Sequence, residues 1–163
     1  MTAPPMLDEE FQRYAKRGDR KALGRLLESA RPWIYRIAYR VVRDRGLAED
    51  ACQEVALVLS RLMPGPDRVV SPRSWLAKIT LREALRLAQR RGLEQHNLQQ
   101  RGPQEASMSE PIEATGDEEV RHRIQQEVNR LPDSLRIPLT LRYWEELSYE
   151  EIAQAMDCPE GTL

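Results

Sequence analysis

Apolar residues in the first half of the chain recur at the three- and four-residue spacings of amphipathic helices, and no alternating strand pattern survives more than a few positions. Leu7, Phe11, Tyr14 and Ala15 form the first stripe. Gly18-Asp19 interrupts it, and Asp19 suits the N-cap of a second helix carrying Ala22, Leu23, Leu26, Leu27 and Ala30. Pro32 is expected to mark a turn or kink, because its ring removes a donor and crowds the preceding turn. Beyond it, Trp33, Ile34, Ile37, Ala38, Val41 and Val42 make another stripe, which Gly46 is expected to end. The next helix, roughly 48–63, aligns Ala51, Cys52, Val55, Leu59 and Leu62, and Pro64-Gly65-Pro66 stops it. Ser71-Pro72 then opens a helix, as an N-cap followed by proline at the first helical position, that is expected to reach about Arg91.

Residues 92–116 hold Gly92, Gly102, Pro103, Ser107, Ser109, Pro111 and Gly116 without a sustained apolar period. A structureless stretch of that length is unusual inside a compact domain, so a flexible linker and a domain boundary are predicted there. If flexible, it reaches about 25–30 Å, enough for two modules to grip separate sites on a large partner. Helical patterning returns from Asp117, with Val120, Ile124 and Val128 spaced by four, then Leu131-Pro132 and a helix carrying Leu135, Leu139 and Tyr143 in which Pro138 should produce a kink. Ser148-Tyr149-Glu150-Glu151 has the form of a capping box, and Ile152, Ala153 and Met156 follow it. A turn at Asp157-Cys158-Pro159 leads to a new helix starting near Glu160. The expected fold is all-α: a helical domain over 6–91, the linker 92–116, and a second helical domain over 117–163.

Charge changes this picture by separating the halves. The net charge of -1 conceals 19 Lys+Arg against 11 Asp+Glu in residues 1–91, and 6 against 15 in residues 92–163. The first half can attract nucleic acid; the second, by net charge, cannot. Cys52 and Cys158 have no CxxC spacing, so neither a zinc site nor a disulfide framework is indicated, and Cys52 reads as packing. No stretch approaches the roughly 20 apolar residues of a membrane span, and residues 1–10 lack the apolar core of a signal peptide, so a cytoplasmic protein without membrane insertion is expected. No Gly-rich phosphate loop occurs, and His96 and His122 sit in or beside the linker without a nucleophile. The expectation is a binding protein, not an enzyme, with no cofactor and no metal.

Three segments carry more specific information. Leu131-Pro132 … Leu139-Thr140-Leu141-Arg142-Tyr143-Trp144-Glu145-Glu146-Leu147-Ser148-Tyr149-Glu150-Glu151-Ile152-Ala153 … Pro159-Glu160-Gly161-Thr162 has the logic of a helix-turn-helix: a short capped helix, a tight turn, and a second helix that would offer its N-terminal residues to DNA. Asp50, Gln53 and Glu54 share one helical face, opposite much of the apolar stripe, where they can pair with a partner's cations. Lys78, Arg82, Arg86 and Arg90 recur every four residues, with Arg91 beside them, as a basic stripe suited to a phosphate backbone. Trp75 reads as a core anchor rather than a base-stacking platform.

Together these strings resemble the sigma-70 family of bacterial transcription initiation factors, extracytoplasmic-function type. The last resembles region 4, which implies that Ser148, Pro159, Glu160, Gly161 and Thr162 lie at the contact with the promoter −35 element. The string from Asp44 to Val55 resembles region 2.2, which implies that Asp50, Gln53 and Glu54 dock on the clamp of core RNA polymerase. The string from Ser74 to Arg91 resembles regions 2.3 and 2.4, which implies that Lys78, Arg82, Arg86, Arg90 and Arg91 engage the −10 element and its extruded bases. Ala56 and Ser60 stand where the family usually has aromatic residues, and Arg82 and Arg86 where Asn and Asp are frequent. Leu163 falls where the recognition helix would begin, so region 4 is expected to be incomplete at this point. The resemblance implies a dissociable polymerase subunit whose partners are core RNA polymerase, promoter DNA and an anti-sigma factor. The alternative is a degenerate sigma-like interaction protein that binds polymerase or an anti-sigma factor without selecting promoters.

Overall fold

A computed structural model describes residues 7–62, 69, 71–99 and 116–163. They form α1 (Leu7–Arg17), α2 (Arg20–Val42), α3 (Arg45–Arg61), α4 (Pro72–Gln99), α5 (Gly116–Arg130), α6 (Asp133–Tyr143), α7 (Tyr149–Met156) and a 3-10 turn (Glu160–Thr162), with no strand among the described residues. The three predicted helix starts form as expected. The Asp19 carboxylate accepts from the Lys21 amide at 2.8 Å, the Ser71 hydroxyl oxygen accepts from the Ser74 amide at 3.3 Å, and Ser148 and Glu151 complete a reciprocal capping box.

Several predicted breaks are not where the sequence put them. The turn expected at Pro32 is absent: α2 runs through it without interruption. Proline deprives the carbonyl four residues back of its donor, but Glu28 and Pro32 are both exposed, so water can serve that carbonyl while nine buried residues of α2 hold the helix on both sides. Gly46 does not end the helix either. Arg43 does, in a left-handed conformation (φ 54°), and the Asp44 carboxylate accepts from the Leu47 amide at 2.9 Å, so α3 starts three residues earlier than expected and Gly46 lies in its first turn. α6 likewise continues through Pro138. At the far end α4 extends to Gln99, past the expected stop at Arg91, which makes it about 42 Å long and takes the start of the linker into the helix. Pro64-Gly65-Pro66, the remainder of the linker (100–115) and the side chains of His96 and His122 lie outside the described residues.

α2 is the central element and packs on α1, α3 and α4. Leu26, Trp33, Ile34 and Ile37 of α2 meet Phe11 and Tyr14 of α1, Val55 and Leu59 of α3, and Leu76, Ala77 and Ala84 of α4. The Tyr14 hydroxyl donates to carbonyls at the end of α3, Leu59 or Leu62, giving a partner to groups the helix leaves unpaired, and burial raises its pKa. Trp75 sits half-buried, edge-on to Phe11 at 5.1 Å, in keeping with its reading as a core anchor.

The second helical group docks on this body: α7 lies along α4 and α6 touches α2. Ile137, Leu141, Leu147, Ile152 and Ala155 join the same continuous apolar cluster as the α2 core. α5 is different, since Val120 and Ile124 of its predicted apolar stripe are 58% and 50% exposed.

Candidate polymerase and promoter interface

α3 turns Ala48, Ala51, Cys52, Val55 and Leu59 into the core, which leaves Asp50 and Gln53 exposed and Glu54 half-exposed on the other side, as the periodicity predicts. Beside Gln53 a groove of about 440 Å³ opens between α2 and α3, walled by Leu27, Ile34, Cys52 and Ala56 and rimmed by Glu28 and Arg31. Sequence reasoning missed this groove, because more than half its lining comes from the preceding helix. Burial raises the pKa of the Cys52 thiol, which keeps it a neutral packing group.

α4 presents its basic residues outward while Leu76, Ala77, Ile79, Thr80, Leu81 and Ala84 face inward. Arg82 is the most exposed of the paired cations, with 62% of its side chain accessible. Lys78, Arg82, Arg86 and Arg91 each have a carboxylate partner. Lys78 lies 2.8 Å from Asp157, Arg82 3.2 Å from Glu83, and Arg91 2.7 Å from Asp44, while Arg86 lies 2.8 Å from Glu83 and 3.0 Å from Glu54. The Glu83 hydrogen bond and charge raise the Arg86 pKa. Glu83 itself is buried at the base of the stripe and steers two arginines, a role that no sequence signal marked out. The Arg86–Glu54 contact also joins the two predicted surfaces, so the acidic face of α3 and the basic face of α4 form one continuous, charge-divided surface.

The helix-turn-helix residues lie at the end of α7. Ser148 caps it, Asp157 (φ 57°) reverses the chain, and the Cys158 amide donates to the Ala153 carbonyl at 3.0 Å. Pro159, Glu160, Gly161 and Thr162 are exposed in the 3-10 turn, which starts where a new helix was expected.

The two helical groups meet through polar residues that sequence reasoning did not single out. Glu145, in the turn between α6 and α7, is fully buried; its carboxylate lies 3.3 Å from Arg36 Nη2 and 3.6 Å from Arg40 Nε, and its carbonyl accepts from Arg73 Nη2 at 3.1 Å. Burial raises the Glu145 pKa although Arg36 and Arg40 pull it down, and burial lowers the Arg40 pKa although Glu145 pulls it up. Burial thus pushes both partners toward their neutral forms, against their mutual attraction. Trp144 stacks on the Arg40 guanidinium at 5.1 Å. Arg136, 2% exposed on α6, donates to the Arg40 and Val41 carbonyls and so caps the C-terminus of α2 from outside that helix. Ser71 donates to Glu151 at 3.0 Å, and Ser74 Oγ lies 2.7 Å from Gln154 Oε1. Among the described residues no group of His, Cys, Asp and Glu could hold a metal ion, and no helix is long and apolar enough to cross a membrane.

A family model described as sigma-70 region 2 matches residues 26–94, and one described as sigma-70, region 4 matches residues 121–163. The chain is 29% identical to the RNA polymerase sigma-H factor of Pseudomonas aeruginosa, over 96% of this chain and 86% of that protein. It is 27% identical to the ECF RNA polymerase sigma-E factors of Escherichia coli K12 and Salmonella typhimurium, over 97% of this chain and 87% of each of those. The chain belongs to the sigma-70 family of RNA polymerase sigma factors, in its extracytoplasmic-function branch.

Proposed function

We propose that this chain binds core RNA polymerase through Asp50, Gln53 and Glu54 on α3, and brings it to promoters by contacting DNA along Lys78, Arg82, Arg86, Arg90 and Arg91 on α4. Ser148 and the segment Pro159, Glu160, Gly161 and Thr162 face the −35 element. The observation that carries this reading is the exposure of an acidic-amide face and an arginine face on adjacent helices, within the residues matched by the region 2 model. Cations give affinity for the phosphate backbone, and bases captured from the opened strand supply the free energy that favours melting. The chain hydrolyses nothing; melting draws on binding energy alone. Its partners are core polymerase, promoter DNA and an anti-sigma factor, and it works in the cytoplasm.

Transcription from a mapped promoter, using core enzyme and this chain, tests the reading directly. Replacing Arg82 and Arg90 together by Ala should weaken open-complex formation and reduce the slope of log affinity against log salt by about two. An unchanged slope removes the basic stripe from the DNA interface. Asp50→Ala with Glu54→Ala should weaken core binding while helicity is kept, and wild-type affinity would remove the docking face.

A further inference from the structure

Between α2 and α5 lies a groove of about 360 Å³, in the range of small-ligand sites, whose residues belong to neither interface proposed above. One face of α2 supplies three arginines and two tyrosines, and α5 supplies Gln125 and Asn129. Side chains bridge the two helices: Arg40 Nη1 donates to Gln125 Oε1 at 2.9 Å, and Arg43 Nη1 to the Asn129 carbonyl at 2.6 Å.

Among the described residues that line this groove, Arg36, Arg40 and Arg43 are cations and none is an acid. Two other grooves are balanced: Glu28 accompanies Arg31 beside Gln53, and Asp8 and Glu9 accompany Arg13 and Lys16 along α1. Here Glu145, outside the lining, divides one negative charge between Arg36 and Arg40, while Arg43 reaches a neutral carbonyl. Burial above all lowers the Arg40 pKa; Glu145 opposes that shift and the neighbouring Arg36 charge adds to it. An anion set among these groups relieves the repulsion, and phosphate oxygens match the paired N–H donors of guanidinium. The end of α2 does not oppose such an anion, because Arg136 donates to the Arg40 and Val41 carbonyls and so covers the negative pole of the helix. Trp144, 5.1 Å from the Arg40 guanidinium, helps to hold it in place.

The tyrosines add a second kind of recognition. Tyr35 and Tyr39, one helical turn apart and half-buried, stack with centroids 6.0 Å apart and planes within 9°. A planar base can lie on that platform, and the side-chain amides of Gln125 and Asn129 offer the donors and acceptors that a base edge requires. A free polyphosphate would engage the arginines and leave the tyrosines unused; a nucleoside would do the reverse. We propose that the α2–α5 groove binds a nucleoside polyphosphate, with its phosphates on Arg36, Arg40 and Arg43 and its base on Tyr35 and Tyr39.

The site requires neither polymerase nor promoter DNA, so the full chain alone tests it. ATP carrying an N-methylanthraniloyl label on the ribose is titrated with the chain at fixed ionic strength, without divalent cations, and its fluorescence anisotropy is followed. Binding should saturate at one probe per chain. Arg43→Gln and Tyr39→Leu should each weaken it by about fivefold or more, the effect of losing one charge-assisted contact or one stacking face. Arg31→Ala removes one positive charge from the groove beside Gln53 and should leave the affinity unchanged. Both groove variants keep side chains of similar bulk, and circular dichroism should show wild-type helicity. Unlabelled ATP should displace the probe, and tripolyphosphate and adenosine should each do so about fivefold less well or worse. Absence of saturable binding overturns the proposal, as does an equal loss in Arg31→Ala and Arg43→Gln, which would mean attraction to net charge alone. Tripolyphosphate that competes as well as ATP, with Tyr39→Leu binding like wild type, would leave a polyanion surface and remove the nucleotide site. A single-stranded hexanucleotide that displaces the probe better than ATP would make the groove a strand-binding surface and also overturn it.

Discussion

The body built on α2 and the module of α5–α7 solve the problem of burial in opposite ways. In the first, α1, α3 and α4 enclose α2 and its large side chains, Trp33, Leu26, Ile34 and Ile37, almost completely. In the second, Val120, Ile124, Leu135, Tyr143 and Tyr149 are half-exposed or more, and the best-buried apolar residues, Leu141, Leu147 and Ile152, join the core of the first body. The first unit supplies its own core, whereas the second borrows one, and the seam between them also buries a carboxylate among arginines. Stability should therefore flow in one direction, from the α2 body to the module docked on it.

Trp33→Ala gives the sharpest break. Removing the largest fully buried side chain should cost about 3–5 kcal/mol and should melt both units in a single transition, followed by circular dichroism during urea titration. A second transition surviving at the wild-type midpoint would show that the α5–α7 module is stable by itself. Arg136→Ala comes next, at about 2–3 kcal/mol, because it leaves the Arg40 and Val41 carbonyls without their charged donor. If the comparison holds, this substitution loosens the C-terminal end of α2 as well as the seam, so amide exchange at Val41 and Val42 should speed up. Ser148→Ala should cost about 1 kcal/mol, confined to α7, since it removes one half of the capping box.

What could be read from the sequence follows the range of the interactions. Asp19, Ser71 and the Ser148–Glu151 pair were legible because each cap closes within three residues. The exposed face of Asp50, Gln53 and Glu54 and the outward stripe from Lys78 to Arg91 were legible because helical period alone decides them once the apolar face is known. Pro32 misled because the rule concerns a helix by itself, and here tertiary packing on both sides of the proline holds the helix together. Glu145, Arg136 and Glu83 were not legible at all. Glu145 meets Arg36 across more than a hundred residues, and nothing in its neighbourhood distinguishes a buried acid from an exposed one in a turn.

The smallest effect expected concerns Glu145 at the seam and its response to acid. Burial raises the Glu145 pKa above the ordinary carboxylate range of about 4.3, against the opposing pull of Arg36 and Arg40 on α2, with Arg73 of α4 on the carbonyl. The docked form therefore binds a proton more tightly than the released form does. By linkage, docking strengthens as the pH falls through the raised pKa, and this contribution is lost as the pH rises past it. In the Asp157→Asn variant, where the weakened seam makes the equilibrium visible, the scattering radius should shrink as the pH is lowered from 7 toward about 5, and Glu145→Gln in the same background should make it insensitive to pH. A radius that instead grows on acidification would mean that the attraction of the arginines outweighs the cost of burial. Glu145 would then belong to an ordinary salt bridge, and the contrast between a self-sufficient body and a module docked at a desolvation cost would lose its clearest instance.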